Sequence, residues 1–147
     1  MTRRVGVGVG VIVVWDGRVL MVQRRYRGHG TWSFLGGYLD FGETPESCAI
    51  RETREETGLV IADPHFLAVT NDVIDDERHN VTLWFEAQHV SGEARNEDPE
   101  ELLAVEWFPW DALPEPLFVS TDSFVRGRTY PAMAAAYAPR LTRNSAG

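Results

Sequence analysis

The sequence predicts a mixed α/β fold, and three observations carry that prediction. Val5, Val7, Val9 and Val11 alternate with Gly6, Gly8 and Gly10, a period of two that marks a strand. Asp16-Gly17, between two apolar runs, is a strong two-residue hairpin signal. Among the later strand-like runs stands one sharply punctuated helix, opened by Thr44-Pro45 and closed by Gly58. Strands in quantity around one well-marked central helix are the pattern of an α/β domain.

In chain order, residues 5–15 and 18–23 form the opening hairpin, and residues 24–31 a polar loop containing Gly28 and Gly30. Residues 32–35 make a brief strand that ends at Gly36-Gly37. The helix runs from Pro45 to Thr57, with Thr44 as its N-cap. Residues 65–73 and 80–90 read as strands joined by the acidic turn Asp75-Asp76-Glu77, and residues 91–101 as a charged, irregular loop. A last strand covers residues 105–108, and the following "PWDALP" holds one helical turn. Beyond Phe118 a short helix starts near Thr121 and is interrupted at Gly127 and Pro131; residues 132–137 return to helix. The expected organisation is one domain over residues 1–139 and a disordered tail over 140–147, without repeat or linker.

At 147 residues the chain is long enough to bury a sizeable core. Its formal charge of −8 argues against affinity for a nucleic-acid polymer or an anionic membrane, both of which reward a basic surface. A small phosphorylated substrate stays open, provided metal ions or arginines offset the repulsion. Cys48 is the single cysteine, so no internal disulfide forms, which suits a reducing cytoplasm. Arg3 and Arg4 ahead of an apolar run mimic a secretory signal, but no small-residue cleavage site follows, and eleven residues are too few to span a bilayer as a helix.

The stretch "GGYLDFGETPESCAIRETREETGL" crowds acidic residues together. On a helix, Glu52, Glu55 and Glu56 fall within an arc of about 100°. Ala49, Ile50 and Thr53 occupy the adjacent, core-facing arc, and Arg51 and Arg54 the remaining side. Like charges at such spacing cost an isolated helix roughly 0.2–0.5 kcal/mol per pair, so either the face is simply solvated or something cationic sits there. Carboxylate oxygens are the ligands Mg²⁺ prefers, and a backbone carbonyl at Gly36-Gly37 offers a further oxygen. The expectation is a cation site pre-formed by the glutamates.

The wider spacing sharpens this. Gly37, five residues, Glu43, seven residues, Arg51-Glu52, then Glu55-Glu56, Gly58 and Leu59 match G-x5-E-x7-R-E-U-x-E-E-x-G-U, where U is bulky and apolar. On this motif the chain resembles the Nudix hydrolases. Two positions depart from the usual pattern: Thr53 stands at the first U, and Leu35 where proline often precedes the double glycine. "GVGVIVVWDGRVLMVQRR", "TWSFLGGYLDFGET" and "VEWFPWDALP" extend the likeness over about residues 5–118 to the MutT-like branch, near the thiopurine-nucleotide diphosphatases.

The resemblance implies an α/β/α sandwich with a mixed central sheet and a loop-helix-loop catalytic motif. It implies Mg²⁺-dependent hydrolysis, with Mn²⁺ as substitute, of a nucleoside triphosphate with a common, modified or oxidised base to monophosphate and pyrophosphate. ADP-ribose or a dinucleoside polyphosphate are the alternative substrates, and a nucleotide sensor without turnover is a third reading. Glu52 and Glu56 would be the principal metal ligands, completed by Glu55 and the Gly36 carbonyl, with Glu52 or Glu55 handling the attacking water. Arg51 would hold Glu43 and fix the loop against the helix. From "NEDPEE", Glu100 is favoured over Asp98 and Glu101 as a further metal ligand. Arg24 would contact substrate phosphates, and Tyr38, Leu117 and Phe118 would line the base pocket. The partner is a small nucleotide, and the family admits a homodimer.

The remaining candidates have plainer readings. The glycine face of residues 6, 8 and 10 either leaves room for a flat group or packs closely against another strand; it lacks the G-x-G-x-x-G dinucleotide spacing. Trp107 and Trp110 read as core or rim packing, His79 as structural, and Cys48 as a small packing residue.

Overall fold

The computed structural model describes residues 3–132 and 139. The helix expected at residues 132–137 lies outside the described residues apart from Ala132, and so does the tail 140–147.

The hairpin forms as expected. Strand β1 (Val5–Trp15) turns into β2 (Arg18–Arg24) through Asp16 (φ 49°) and Gly17 (φ 74°), the two positive φ values of a type I′ turn. Only Val14↔Val19 and Trp15↔Arg18 pair, after which the two strands part. Strand β4 (Leu35–Tyr38) takes the freed edge of β1, and β3 (Trp32–Ser33) and β7 (Leu102–Pro109) flank β2. Strand β6 (His79–Ser91) runs parallel to β1 from Val5 to Val14 and antiparallel to β5 (Val60–Val73). One parallel pair thus joins two antiparallel halves of a seven-stranded sheet.

The alternation along β1 decides which helix covers which face. Val9, Val11 and Val13 pack with Cys48 and Ala49 of α1 (Pro45–Thr57). Ile12 and Val14 point the other way and pack with Phe34, Trp84 and Phe124, the last from α2 (Val119–Val125). A helix on each face of a mixed sheet is the expected α/β/α sandwich.

Helix α1 begins and ends where its caps lie. Thr44 Oγ1 accepts from the Ser47 N–H at 3.1 Å, and Gly58 closes the helix at φ 77° with its N–H on the Arg54 carbonyl. Its buried side is Cys48, Ala49, Thr53 and Thr57. Ile50, expected in the core, is 38% exposed. The helix seats on the 49–53–57 row, which turns Cys48 towards β4 and leaves Ile50 at the edge.

The double glycine does not end a strand; it lies inside one. Gly36 pairs with Gly10, and a Cβ built on it would fall 2.0 Å from the Val9 carbonyl oxygen, so the close approach of β4 to β1 requires glycine there. The single strand expected at residues 32–35 is therefore two, β3 and β4. Strand β5 starts at Val60, earlier than expected, because register slips between Ala62 and His65 accommodate Pro64. Helix α2 starts at Val119 rather than Thr121, and the helical turn after β7 covers Trp110–Ala112.

Thr53 is fully buried, and its Oγ1 has no hydrogen-bond partner among the described residues. Thr53→Val keeps the shape and removes the unsatisfied hydroxyl. It is expected to raise unfolding stability by roughly 1 kcal/mol; a loss in a denaturant titration would mean the hydroxyl is satisfied after all.

Candidate active site

The helix and β4 meet at the glutamates. Glu56 Oε1 accepts from the Gly36 N–H at 2.9 Å. The residue as a whole is half-buried, yet its carboxyl group is closely surrounded by protein. That burial pushes it up to about 8, against the pull of the Gly36 N–H and of Arg24. Glu52 is also held above the usual carboxylate range by burial, opposed by its hydrogen bond from Arg51. A Cβ on Gly37 would meet the Glu52 carboxyl carbon at 2.5 Å, so glycine leaves the room that this carboxylate occupies.

Arg51 binds the acidic cluster together. Its Nε and Nη2 grip Glu43 at 2.7 and 3.0 Å, a bidentate fork. Its Nη1 reaches Glu52 Oε1 at 2.8 Å and Glu55 Oε2 at 3.2 Å, and Nη2 also reaches Asp40 at 3.3 Å. The fork holds the Glu43 carboxyl down at about 2, and Glu43 in turn raises Arg51. The helical wheel set Arg51 on the side away from the carboxylates; its long side chain swings back over them instead.

Each of these carboxylates is held by a donor of the protein itself. Among the described residues, no three His, Cys, Asp or Glu side chains converge on a point able to hold a metal ion. The cation in the cluster is Arg51, which draws Glu52 and Glu55 to itself while the Gly36 N–H holds Glu56. The donor chemistry nevertheless fits a hard divalent ion. Glu52 Oε2, Glu55 Oε1 and Glu56 Oε2 make no hydrogen bond among the described residues, and all are oxygens of the type Mg²⁺ takes, supplemented by substrate phosphates.

The loop places Asp98 within electrostatic reach of Glu56. Glu97 N–H docks on the Glu56 carbonyl at 3.0 Å, and half-buried Asp98 lies near enough to raise Glu56. Glu100, favoured from the sequence, is exposed on the turn that follows.

These charges set a pH dependence. Glu56 is raised, so at neutral pH the metal-free protein carries a proton there that an ion must displace. Metal affinity is expected to rise with pH up to about 8, with proton release on binding, measurable by calorimetry in buffers of different ionisation heat. The folded chain holds this proton where the unfolded one has lost it. Stability of the metal-free protein should therefore fall as pH climbs from the ordinary carboxylate range to about 8, and saturating metal should flatten that fall. Equal metal affinity at pH 6 and 8 would contradict the assignment.

Beside the glutamates opens a cleft of about 110 Å³. Arg24 stands between the two, its Cζ 3.9 Å above the centre of the Phe118 ring and its charge felt by Glu56. Burial lowers Arg24, and Glu56 partly restores it. Tyr38 forms the exposed rim, its hydroxyl donating to Asn80 Oδ1 at 3.3 Å. Phe118 lines the cleft, but Leu117 does not: it packs in the core around Phe34 and bridges to Trp32. The chain is extended at Phe118 (ψ 150°), so successive side chains point apart.

Both readings of the glycine face hold, each at its own position. A Cβ on Gly10 would strike the Trp84 indole at 2.4 Å, and one on Gly6 would strike Asn80 and Tyr38. Gly8 opens onto the cleft. Arg78, Asn80 and Thr82 also line it and were missed, because the parallel pairing of β6 with β1 brings Asn80 and Thr82 there and the turn before β6 brings Arg78. Trp107 packs against Trp15 and His89, and Trp110 stacks on Phe34. His79 bonds Asn71 across β5 and β6. Cys48 is buried, with its thiol pushed up to about 12, as a packing residue would be.

The NUDIX domain family model matches residues 4–126. The chain belongs to the Nudix family. This Nudix chain is 34% identical over 104 residues to the NAD-capped RNA hydrolase NudC of Pseudomonas aeruginosa, covering 71% of this chain and 36% of that protein. It is 33% identical over 106 residues to the oxidized purine nucleoside triphosphate hydrolase of Danio rerio, covering 71% and 66%. The crystal structure of the MutT NUDIX hydrolase from Burkholderia pseudomallei superposes with a TM-score of 0.77 at 33% identity, covering 82% of this chain and 95% of that one. The chain thus spans little more than a third of the length of the NAD-capped RNA hydrolases it matches. The Burkholderia structure supports the MutT-like likeness. No helix among the described residues is long and apolar enough to cross a membrane.

Proposed function

We propose that this Nudix chain is a Mg²⁺-dependent hydrolase of nucleoside triphosphates, releasing nucleoside monophosphate and pyrophosphate in a reducing cytoplasm. One observation supports it above the rest. The glutamate helix and a cleft of about 110 Å³ adjoin, with Arg24 between them. A dry cavity of roughly 150 Å³ takes one benzene ring, so this cleft is too small for two bases.

Bound Mg²⁺, or Mn²⁺ in its place, would neutralise phosphate charge and acidify a water. Glu52 and Glu56 would be the principal ligands, with Glu55, the Gly36 carbonyl and Asp98 around them. Arg24 donates to phosphate oxygens as the base enters beside Phe118. Glu52 or Glu55 orients the water and takes its proton. The water oxygen forms the new bond to phosphorus, the bridging P–O bond breaks, and pyrophosphate leaves with the electron pair. Arg51 and Glu43 are positioning residues, holding the helix against the loop before it.

Pyrophosphate release from a triphosphate, dependent on Mg²⁺ and lost both on chelation and in Glu52→Gln, is the expected result. Release of orthophosphate instead would contradict it. Similarity to the NAD-capped RNA hydrolases supports a second reading, a nucleotide-linked diphosphate as substrate; the charge of −8 disfavours the RNA polymer itself.

A further inference from the structure

Going past the reaction class, and resting on the reading that a nucleobase enters the cleft, we infer that Arg78 and Asn80 select that base. They favour one presenting a keto oxygen at its far edge (guanine, uracil or thymine) over one presenting an amino group (adenine or cytosine).

The strand order sets the direction of the ligand. Strand β4, with Gly36 and the glutamates beside it, pairs one edge of β1, and β6 pairs the other. Adjacent strands lie about 4.8 Å apart, so the Asn80 column stands roughly 10 Å from the β4 column. A nucleotide with its phosphates at Glu56 and Arg24 lies across β1, over Gly8, and presents the outer edge of its base to β6. Asn80 and Thr82 face that edge in register with Gly6 and Gly8. Arg78 closes the cleft from the β5–β6 turn.

The polarity of that far end is mostly donor. Arg78 has no acceptor atom. It is held in place by Asp75, which accepts from its Nε and Nη2 at 2.9 Å while also receiving the backbone N–H groups of Glu77 and Arg78. Asn80 Oδ1 is engaged by the Tyr38 hydroxyl, which leaves its amide N–H groups for a ligand. A keto oxygen accepts from these donors, whereas the exocyclic amine of adenine or cytosine faces them donor to donor. Arg24, lowered first by burial, is lowered further by the charge of Arg78, an accumulation of positive charge that an electron-rich ligand relieves.

The test reads base preference by binding and needs no turnover. Calorimetric affinities of the full chain are measured for GMP, UMP, AMP and CMP, which share one phosphate and one sugar. GMP and UMP should bind roughly tenfold more tightly than AMP and CMP. Asn80→Asp, which replaces a donor by an acceptor, should shrink or invert the ratio, and Arg78→Gln should shrink it. If Arg78 merely braces its turn, Arg78→Gln weakens all four alike, and its share of the inference fails. Equal wild-type affinity for the four, or binding of none, overturns the inference outright. Pyrophosphate release is scored separately, so hydrolysis with no base preference would overturn this inference and leave the reaction standing.

Discussion

Glu56→Gln is expected to abolish metal-dependent hydrolysis, by roughly a thousandfold if it matches the loss of one pre-set electrostatic group in other enzymes, while the fold stays intact or gains stability. The amide oxygen of glutamine can still accept from the Gly36 N–H, so the link between α1 and β4 survives. What disappears is a charge whose burial is unfavourable: the wild-type carboxyl is pushed up to about 8, chiefly by its surroundings. Above that pH the metal-free wild type carries a buried anion and the variant does not. The variant should therefore melt at or above the wild-type temperature at pH 8 to 9 without metal, and it should lose most of the shift that millimolar Mg²⁺ gives the wild type. A destabilised variant that still responds to Mg²⁺ would show Glu56 to be a structural group rather than a metal ligand.

Arg51 should give the second large effect, through geometry. One guanidinium touches Glu43, Glu52, Glu55 and Asp40. Arg51→Ala leaves those carboxylates facing each other and removes the fork that ties the loop before α1 to the helix. Activity is expected to fall by roughly 10- to 100-fold, the range seen when groups that orient metal ligands are removed, and the melting temperature should fall with it. Arg51→Lys should recover little, because an ammonium cannot supply the fork to Glu43 and reach Glu52 together. The pH dependence gives a separate readout. Glu43 is depressed to about 2, so its contribution is present above the ordinary carboxylate pKa and is lost as pH falls towards 2. That acid-limb loss should vanish in Arg51→Ala, and an unchanged acid limb would contradict the role given to the fork.

What was legible in the sequence depended on how local the cause is. Helix α1 could be read to the residue because Thr44, Pro45 and Gly58 punctuate it within the chain itself. The type I′ hairpin was equally local, set by Asp16-Gly17. Gly36-Gly37 was misread as an ending because glycine at a stop and glycine at a close strand contact look alike until β1 is beside it. Arg51 was set on the wrong side because a helical wheel places Cα atoms, and a guanidinium reaches well beyond its own arc. The place of Asp98 depends on a loop docking on α1, and that of Asn80 and Thr82 on parallel pairing with β1, both non-local. The motif residues were visible, and so were Arg24, Tyr38 and Phe118 of the cleft; which way each motif side chain points, and the part of the cleft that β6 supplies, was not.

The most direct measurement is product analysis across a panel. The protein is incubated with Mg²⁺ and common and oxidised nucleoside triphosphates, ADP-ribose and a dinucleoside polyphosphate, beside Glu52→Gln, and the products are separated by ion exchange. The account predicts monophosphate and pyrophosphate in equal amounts from at least one triphosphate, absent in the variant. Turnover confined to ADP-ribose or the dinucleoside polyphosphate would contradict the proposed substrate, and tight nucleotide binding with no turnover of any compound would contradict the proposed reaction.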